Sequence, residues 1–269
     1  RQLQKEGFRL SELQPNKDGL INIEQLYEAV EKDTFLVSVM AANNEIGVLQ
    51  PIFEIGSFCK KNGIVFHTDA AQAFGYLDLD PDRLRIDLMS FSAHKIYGPK
   101  GIGALVLREG LPLEPAQYGG GQELGLRSGT LPVPLIVGFA KAVEIIKNDQ
   151  DERNKRLLCL RTLLLNGLKN NIDGVIVNGS INQRLPHNLN ITFSGVNGSR
   201  LHSQLRRFIF CTSGSACSNG EPSHVLQAIG LEKKDAESSI RMSIGRNTTE
   251  QEIKKAIKII ANIVRDLRK

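Results

Sequence analysis

Short apolar runs alternate with amphipathic stretches between residues 20 and 107. The pattern predicts helices over residues 23–32 and 51–62, the second ending at Gly63, and strands over 36–40, 64–66, 87–93 and 102–107. Strands that are separated by helical segments and lack tight hairpin turns are typical of an open, mostly parallel sheet. The sequence therefore predicts an α/β fold, in which ligands bind at the carboxyl ends of the strands.

The second half of the chain has a different pattern. Residues 110–135 are rich in glycine and proline and predict an irregular loop, and a long helical stretch follows over residues 134–170. Beyond it, strand runs (VIVNG, LNITF) mix with helical runs (SRLHSQL, HVLQAIG and the C-terminal EQEIKKAIKIIANIVRDL). We therefore expect two domains, a large one over residues 1–145 and a smaller α+β domain over residues 146–269.

Composition excludes several classes of protein. The 269 residues are 41% hydrophobic and 23% charged, and the 25 glycines and 10 prolines are scattered, which argues against a collagen-like or disordered chain. No apolar run in the sequence is long enough to span a membrane. The net charge of +5 is spread along the chain without a dense basic block, so we expect no nucleic-acid partner and no membrane association.

The four cysteines show neither a CxxC motif nor the pattern of a small disulfide-bonded protein. They predict a reducing compartment, and we expect a cytoplasmic protein without a metal site. Cys59 and Cys159 lie within helical patterns and are expected in the core, whereas Cys211 follows the apolar run FIF and is expected to end a strand. Cys217 lies in SGSACSNGEPS, a small, polar segment that predicts an exposed loop.

Three polar clusters follow the predicted strands of the first half. They are residues 43–45 (NNE), then His67, Asp69 and Gln72, then Ser92, His94 and Lys95. Each cluster also has a purely structural interpretation: NNE is common in turns, Asp69 could cap a helix, and Lys95 could be a solvated loop lysine. Three such clusters at one edge of one sheet nevertheless favour a ligand site.

A lysine in such a site has a specific chemistry. An apolar, partly desolvated pocket disfavours the ammonium form, and the neutral amine is a nucleophile that can form a Schiff base. An acid at the end of another strand, Asp69, could keep a pyridinium nitrogen protonated, which is the pairing that pyridoxal phosphate enzymes require. Ser92 and His94 flank Lys95 with hydrogen-bond donors that suit a phosphate.

Six segments between residues 36 and 254 carry a wider pattern. They are VSVMAANNEIGVLQPI, GIVFHTDAAQAFG, DLMSFSAHKIYGPKGIGAL, GGGQELGLRSGTLPVP, SGSACSNGEPSHVLQAIG and SSIRMSIGRNTTEQEI. Together, and in this order, they resemble the NifS/IscS-type cysteine desulfurases of the class V aminotransferase family. The resemblance implies a homodimer of type I, aspartate aminotransferase-like fold with pyridoxal 5'-phosphate. It implies an enzyme that converts L-cysteine to L-alanine and passes the sulfur, as a persulfide, to an iron–sulfur scaffold or another acceptor protein.

The resemblance also implies a role for each matching residue of the coenzyme site. Lys95 would bind the coenzyme aldehyde, and it would later take the proton from the α-carbon of the substrate. Asp69 would pair with the ring nitrogen and Gln72 with the phenolic oxygen. Ser92 and His94 would hold the phosphate. His67 has no implied role.

The remaining matches concern the substrate and the neighbouring subunit. Thr130, in RSGT, would reach the phosphate that the neighbouring subunit binds. Asn44 and Arg241 would hold the substrate carboxylate, for which a guanidinium fork is well suited. Cys217 would attack the substrate sulfur as a thiolate and become the persulfide.

The chain departs from the family's pattern at two places. Four residues separate Cys217 from Pro222, a shorter loop than is usual in this branch, and a shorter tether has less reach. The chain also begins with RQLQKEG, the pattern of a helix tail that Gly7 closes. We therefore expect that a preceding segment, which in the family carries part of the phosphate cradle, is missing here.

Two alternative functions share part of these residues. A selenocysteine lyase or related lyase on the same fold would need Lys95 but not Cys217. A truncated, non-catalytic relative could act as a scaffold that binds partner proteins. The presence of Lys95, Asp69, Arg241 and Cys217 together favours the enzyme.

Overall fold

The structure is a computed structural model, and it describes residues 2–212 and 223–269. These residues form two compact units. Unit 1 comprises residues 1–34, 42–51 and 152–269, and unit 2 comprises residues 35–41 and 52–151. The domain boundary that we expect after residue 145 stays a prediction.

The elements alternate between strands and helices in the first half of the chain, as its pattern predicts. The helices are α1 (Gln2–Lys5), α2 (Ile23–Ala29), α3 (Ile52–Asn62), α4 (Pro81–Leu84), α5 (Val133–Asn171), α6 (Gly198–Leu205), α7 (His224–Ala228), α8 (Lys233–Glu237) and α9 (Glu250–Leu267). The strands are β1 (Leu36–Ser38), β2 (Val65–Asp69), β3 (Leu88–Ser92), β4 (Gly103–Leu107), β5 (Val175–Val177), β6 (Asn188–Phe193) and β7 (Ser239–Ser243).

Unit 2 is built on a four-stranded sheet of order β1-β2-β3-β4. The first three strands are parallel, because α3 and α4 lie in the connections between them, and β4 pairs antiparallel with β3. This mainly parallel sheet confirms the α/β class that the sequence predicts. The antiparallel β4 is compatible with the mostly parallel sheet that the sequence predicts. The ten residues between β3 and β4 are too few for the crossover that a parallel pair requires.

Helix α3 shows how closely the elements of unit 2 approach one another. Its buried face carries Ile52, Ile55 and Cys59, and Gly63 follows with a φ of +67°. The left-handed conformation of Gly63 ends the helix, as the sequence predicts. On the same buried side, a Cβ atom on Gly56 would lie 2.2 Å from the carbonyl oxygen of Leu84 at the end of α4. Only glycine therefore fits at position 56.

A second core in unit 2 lies beneath the turn that follows β3. Ala93 and Ile96 of this turn are buried against Phe139, Ala142 and Ile146 of α5. The first and last residues of the turn therefore point into the protein, and the two residues between them point away from it.

Unit 1 contains an antiparallel sheet of order β5-β6-β7. All residues of β6 are buried, so this strand is the centre of the unit's core. Helix α9 packs on α6 with a regular apolar face. It begins at a capping box: the hydroxyl of Thr249 accepts a hydrogen bond from the backbone N–H of Glu252, and the carboxylate of Glu252 accepts one from the backbone N–H of Thr249. This mixture of strands and helices agrees with the α+β pattern expected for the second half.

Helix α5 is 39 residues long and coincides closely with the predicted stretch over residues 134–170. In the part of the chain that the structure describes, no helix combines the length and the apolar character that a membrane span requires.

Candidate active site

The carboxyl ends of two neighbouring strands form the candidate site in unit 2. β2 ends at Asp69 and β3 ends at Ser92. The two strands are parallel, and the backbone N–H of Ala70 donates to the carbonyl oxygen of Ser90 at 2.8 Å, so the pairing continues to the end of β2. The sequence predicts polar side chains at this edge, and the structure places Asp69 and Ser92 there.

A short 3-10 turn, Ala93–Ile96, carries Lys95 directly after β3. Its apolar residues are held in the core of unit 2, and the side chains of His94 and Lys95 are exposed. The turn closes at Tyr97, which has a left-handed φ of 66°, and at Gly98, where a Cβ atom would lie 3.0 Å from the carbonyl oxygen of Ala93. The local sequence therefore presents an amine and an imidazole at the carboxyl end of the sheet.

The carboxylate of Asp69 is oriented by the backbone that follows it. Its Oδ1 atom accepts a hydrogen bond from the backbone N–H of Ala71 at 2.8 Å. This bond resembles the capping role that the sequence also allows. Both the carboxylate of Asp69 and the side chain of Lys95 are exposed. From the sequence we expect a desolvated pocket around the lysine, and the structure differs from this expectation. The residues of unit 2 that the structure describes leave this edge of the sheet open to water.

His67 lies within β2 rather than after it. The strand continues beyond the apolar run IVF. Phe66 and Thr68 face the core, and His67 and Asp69 alternate with them on the other face. The imidazole bridges its neighbours: Nδ1 lies 2.8 Å from the hydroxyl of Ser38 and Nε2 lies 3.2 Å from the hydroxyl of Ser90. Burial lowers the pKa of His67, and the negative charge of Asp69 opposes this effect.

Gln72 and Thr130 are the remaining predicted coenzyme residues of unit 2. Gln72 is half-buried in the turn that follows β2, and Thr130 is exposed in the segment before α5. The hydrogen bonds among the described residues connect neither side chain to Asp69 or Lys95. The roles of Gln72 and Thr130 therefore stay predictions.

The residues of the predicted substrate pair meet in unit 1. Arg241 lies on β7, and its Nη1 atom donates to the backbone carbonyl oxygen of Asn44 at 2.8 Å. The Arg241 guanidinium is half-buried, and burial lowers its pKa while the negative charge of Glu45 opposes this effect. The first polar cluster, residues 43–45, thus belongs with unit 1 and not with the sheet of unit 2, where the sequence argument places it.

The burial of two side chains near this pair, and the hydrogen bond between them, were not predicted from the sequence. Glu45 has only 1% of its surface exposed, and its Oε2 atom accepts a hydrogen bond from the hydroxyl of Ser223. Ser223 is 3% exposed and caps the N-terminus of α7. One signal in the sequence could have indicated that Glu45 is buried. Glu45 directly precedes the apolar run IGVL, which is an unusual context for a residue in a solvated turn.

The cysteines differ in their surroundings. Cys217, the expected sulfur acceptor, lies outside the described residues. Cys59 is buried in α3, and burial raises the pKa of its thiol to about 11. Cys211 is half-buried, and burial raises its pKa as well. Cys159 is exposed on α5, so the prediction of a core residue is wrong there, because the helical pattern does not say which face of α5 is covered.

The donor set of unit 2 fits pyridoxal phosphate. The amine of Lys95 suits its aldehyde, and the carboxylate of Asp69 suits a protonated ring nitrogen. The hydroxyl of Ser92 makes no capping hydrogen bond with the turn that it precedes, so it is available to a ligand. That hydroxyl and the exposed His94 suit a phosphate. Within residues 2–212 and 223–269, no group of three or more His, Cys, Asp or Glu side chains is placed to hold a metal ion.

Comparison with known proteins finds relatives along the whole chain. The family model for Aminotransferase class-V matches residues 1–256. A cysteine desulfurase IscS from Dechloromonas aromatica (strain RCB) is 48% identical over 272 residues, which cover 100% of this chain and 67% of that protein. A solved NifS-like protein is similar with a TM-score of 0.90 at 37% identity, over 99% of this chain and 71% of that one. A structure described as SspA in complex with cysteine has a TM-score of 0.78 at 39% identity, over 92% of this chain and 69% of SspA.

Proposed function

Because this chain belongs to the aminotransferase class-V family, we propose that it is a cysteine desulfurase that converts L-cysteine to L-alanine with pyridoxal 5'-phosphate. Its relatives that match along the whole chain are named cysteine desulfurases, and the structural relative SspA was solved with cysteine. The observation in this chain that carries the proposal is the placement of Lys95 and Asp69 at the carboxyl ends of adjacent parallel strands.

The residues of unit 2 would hold the coenzyme. Lys95 would bind its aldehyde, Asp69 its ring nitrogen, and Gln72 its phenolic oxygen. Ser92 and His94 would hold its phosphate. When bound, pyridoxal phosphate supplies an electron-withdrawing ring that stabilises negative charge at the α-carbon of an amino acid. The hydrogen bond from Ala71 N–H to Asp69 supports the proposal, because it orients the carboxylate before any ligand arrives. Thr130 would serve the site of a neighbouring subunit.

The residues of unit 1 would hold the substrate carboxylate. Arg241 can present a planar fork of N–H donors, and one of them is already used to hold the backbone of Asn44. This bond fixes the guanidinium and the Asn44 main chain relative to each other. Lys95, once released from the coenzyme, would take the proton from the α-carbon of the bound cysteine.

Cys217 would receive the sulfur. Its thiolate attacks the sulfur of the substrate, an S–S bond forms, and the C–S bond of the substrate breaks with its electron pair left on carbon. Protonation of that carbon gives alanine, so the carbon is reduced and the two sulfur atoms end as a persulfide. The atoms and electrons balance without an external oxidant or reductant.

Reductive trapping tests the role of Lys95 in the full-length protein. Borohydride should attach the coenzyme irreversibly to the peptide that contains Lys95, as mass spectrometry would detect, and Lys95→Ala should abolish both trapping and alanine formation. Lys100→Ala is the matched control, since Lys100 is an exposed lysine five residues further along the same loop. A protein that takes up no coenzyme, or coenzyme trapped on another lysine, would contradict the proposal and favour a non-catalytic scaffold.

Cys217→Ala distinguishes the desulfurase from a selenocysteine lyase. The persulfide route predicts that this variant makes almost no alanine from cysteine, while coenzyme binding is retained. Undiminished turnover of cysteine would rule out the persulfide on Cys217.

We also propose a homodimer that delivers sulfur to an iron–sulfur scaffold or another acceptor protein in the cytoplasm. Exposed apolar side chains in unit 2, among them Val133 (59%) and Val137 (62%) on one face of α5, support a subunit contact. Sedimentation of the full-length protein at micromolar concentration tests the dimer.

A further inference from the structure

Two side chains from neighbouring strands hold consecutive carbonyl groups of the turn that carries Asn44. Asn190 lies on β6 and Arg241 lies opposite it on β7, so both side chains point to the same face of the sheet. The side-chain amide of Asn190 donates to the carbonyl oxygen of Glu45 at 3.2 Å. Nη1 of Arg241 donates to the preceding carbonyl oxygen, that of Asn44, at 2.8 Å. The main chain at Asn44 is therefore fixed against the sheet of unit 1.

The same turn approaches β6 closely at a second point. The side-chain amide of Asn188, two residues before Asn190, also donates to the carbonyl oxygen of Glu45 at 3.2 Å. Gly47 follows with a φ of +70°, and a Cβ atom there would lie 2.5 Å from the side chain of Asn188. The turn thus packs directly on the strand, and only glycine fits between them at position 47.

A buried polar network fixes the orientation of the Asn190 amide. Asn178, directly after β5, donates from Nδ2 to Oδ1 of Asn190 at 2.8 Å. Oδ1 of Asn178 accepts from the hydroxyl of Thr192 at 2.9 Å, and this hydroxyl lies 2.7 Å from that of Ser239. All four side chains are buried. Because the oxygen of Asn190 accepts from Asn178, its amide nitrogen is directed to the turn.

The burial of Asn190 defines what it can do. Asn190 is 1% exposed, whereas Asn44 and Arg241, the proposed substrate pair, are half-buried. A buried amide is costly unless its donors and acceptors are satisfied, and an apolar side chain such as the neighbouring Leu189 would fill the core without that cost. The polar network therefore indicates a directional role, which is to hold the turn rather than to touch a ligand.

We propose that Asn190 is a positioning residue for the substrate carboxylate, which acts through the turn that carries Asn44 while Asn178 holds its amide. This inference rests on the proposed function, because it takes Asn44 and Arg241 as the groups that bind the carboxylate. Asn190 and Arg241 each bind one of two successive carbonyl groups, so together they set where the Asn44 side chain lies relative to the guanidinium. A shift of the turn would separate the two groups that the carboxylate bridges.

Ligand binding by the full-length holoenzyme tests the inference. Calorimetry measures the dissociation constants of L-alanine, which has the carboxylate, and of L-alaninamide, which lacks it. KM and kcat for alanine formation from L-cysteine are measured in parallel. The variants are Asn190→Ala and Asn178→Ala, with Ile191→Val as the matched control. Ile191 is fully buried on the opposite face of β6, so its variant loosens the packing of the strand without removing a hydrogen bond.

Asn190→Ala should weaken the binding of L-alanine about fivefold and change that of L-alaninamide by less than about twofold. KM for L-cysteine should rise about fivefold with kcat within about twofold, because the lost contact serves binding rather than the chemical step. Asn178→Ala should weaken L-alanine binding about threefold, with no further loss when it is combined with Asn190→Ala, because both act through one hydrogen bond. Ile191→Val should retain both wild-type dissociation constants.

Two results would overturn the inference while the proposed function stands. One is a folded, active Asn190→Ala protein that binds L-alanine with the wild-type dissociation constant. The other is an equal loss of affinity for L-alanine and L-alaninamide, which would assign Asn190 to the general packing of unit 1. If Asn190→Ala fails to fold, Asn178→Ala decides by the same two criteria, because it leaves the Asn190 side chain in place. A wild-type holoenzyme that forms no alanine from L-cysteine would instead contradict the proposed function.

Discussion

Acidification should destabilise this protein, and His187 should carry a large and measurable part of the effect. Burial lowers the pKa of His187 to about 4, and the positive charges of Arg153 and Arg161 act in the same direction. The same imidazole in an unfolded chain has a pKa of about 6.5. Between these two values the unfolded chain binds a proton that the folded chain does not, so lowering the pH favours unfolding.

The size of the effect follows from the gap between the two pKa values. The contribution of His187 is constant above about pH 7 and is lost as the pH falls from about 6.5 to 4, with an upper limit of about 3.4 kcal/mol. About 2 kcal/mol of this loss falls between pH 7 and pH 5.

Urea unfolding of wild type and His187→Gln at pH 7, 6 and 5 measures this contribution. The substitution itself changes stability at every pH, so only the dependence on pH is compared. The wild type should lose about 2 kcal/mol more than the variant between pH 7 and 5. His224→Gln, which removes an exposed imidazole, is the control and should retain the wild-type loss. Parallel pH profiles for wild type and His187→Gln would refute the reasoning.

Three further substitutions test separate features. Gly56→Ala should lower the free energy of unfolding by about 2–3 kcal/mol, because its new Cβ atom would clash with the carbonyl oxygen of Leu84, and an unchanged melting temperature would contradict the packing of α3. Thr249→Ala should cost about 1 kcal/mol in chemical denaturation by removing the N-cap of α9, and Thr249→Ser should retain most of it. Arg241→Lys should raise KM for L-cysteine about tenfold with a smaller change in kcat, since an ammonium group cannot form the planar fork. An unaltered KM would show that Arg241 does not hold the substrate carboxylate.

The elements with a strong local signal are the ones that the sequence predicts well. Helix α3 ends at Gly63 and α5 matches its predicted range closely, because the apolar period and the left-handed glycine are properties of neighbouring residues. The direction of β4 depends on which strand it pairs with, and the apolar run IGALVL carries no information on that partner. The exposure of Cys159 likewise depends on which face of α5 is covered by distant parts of the chain.

In the candidate site, too, features set by neighbouring residues could be predicted and features set by distant residues could not. The placement of Asp69, Ser92 and Lys95 near strand ends could be predicted, because these polar residues lie close to the ends of apolar runs. The exact end of β2 could not, since the strand continues past its apolar run through His67. The link between Arg241 and Asn44 joins residues 197 positions apart and comes here only from the resemblance to a known family. The hydrogen bond from Ser223 to Glu45 was not predicted, because a contact between side chains 178 positions apart produces no periodic pattern in a single sequence.

The bridge that His67 makes to Ser38 and Ser90 has a consequence for strand alignment. Successive side chains of a strand point to opposite faces, so a shift of one residue between β2 and its neighbours would turn these hydroxyls away from the imidazole. His67 and Asp69 are two residues apart and share a face of β2. The imidazole of His67 thereby disfavours misaligned strands, and it fixes the side of β2 from which the carboxylate of Asp69 projects.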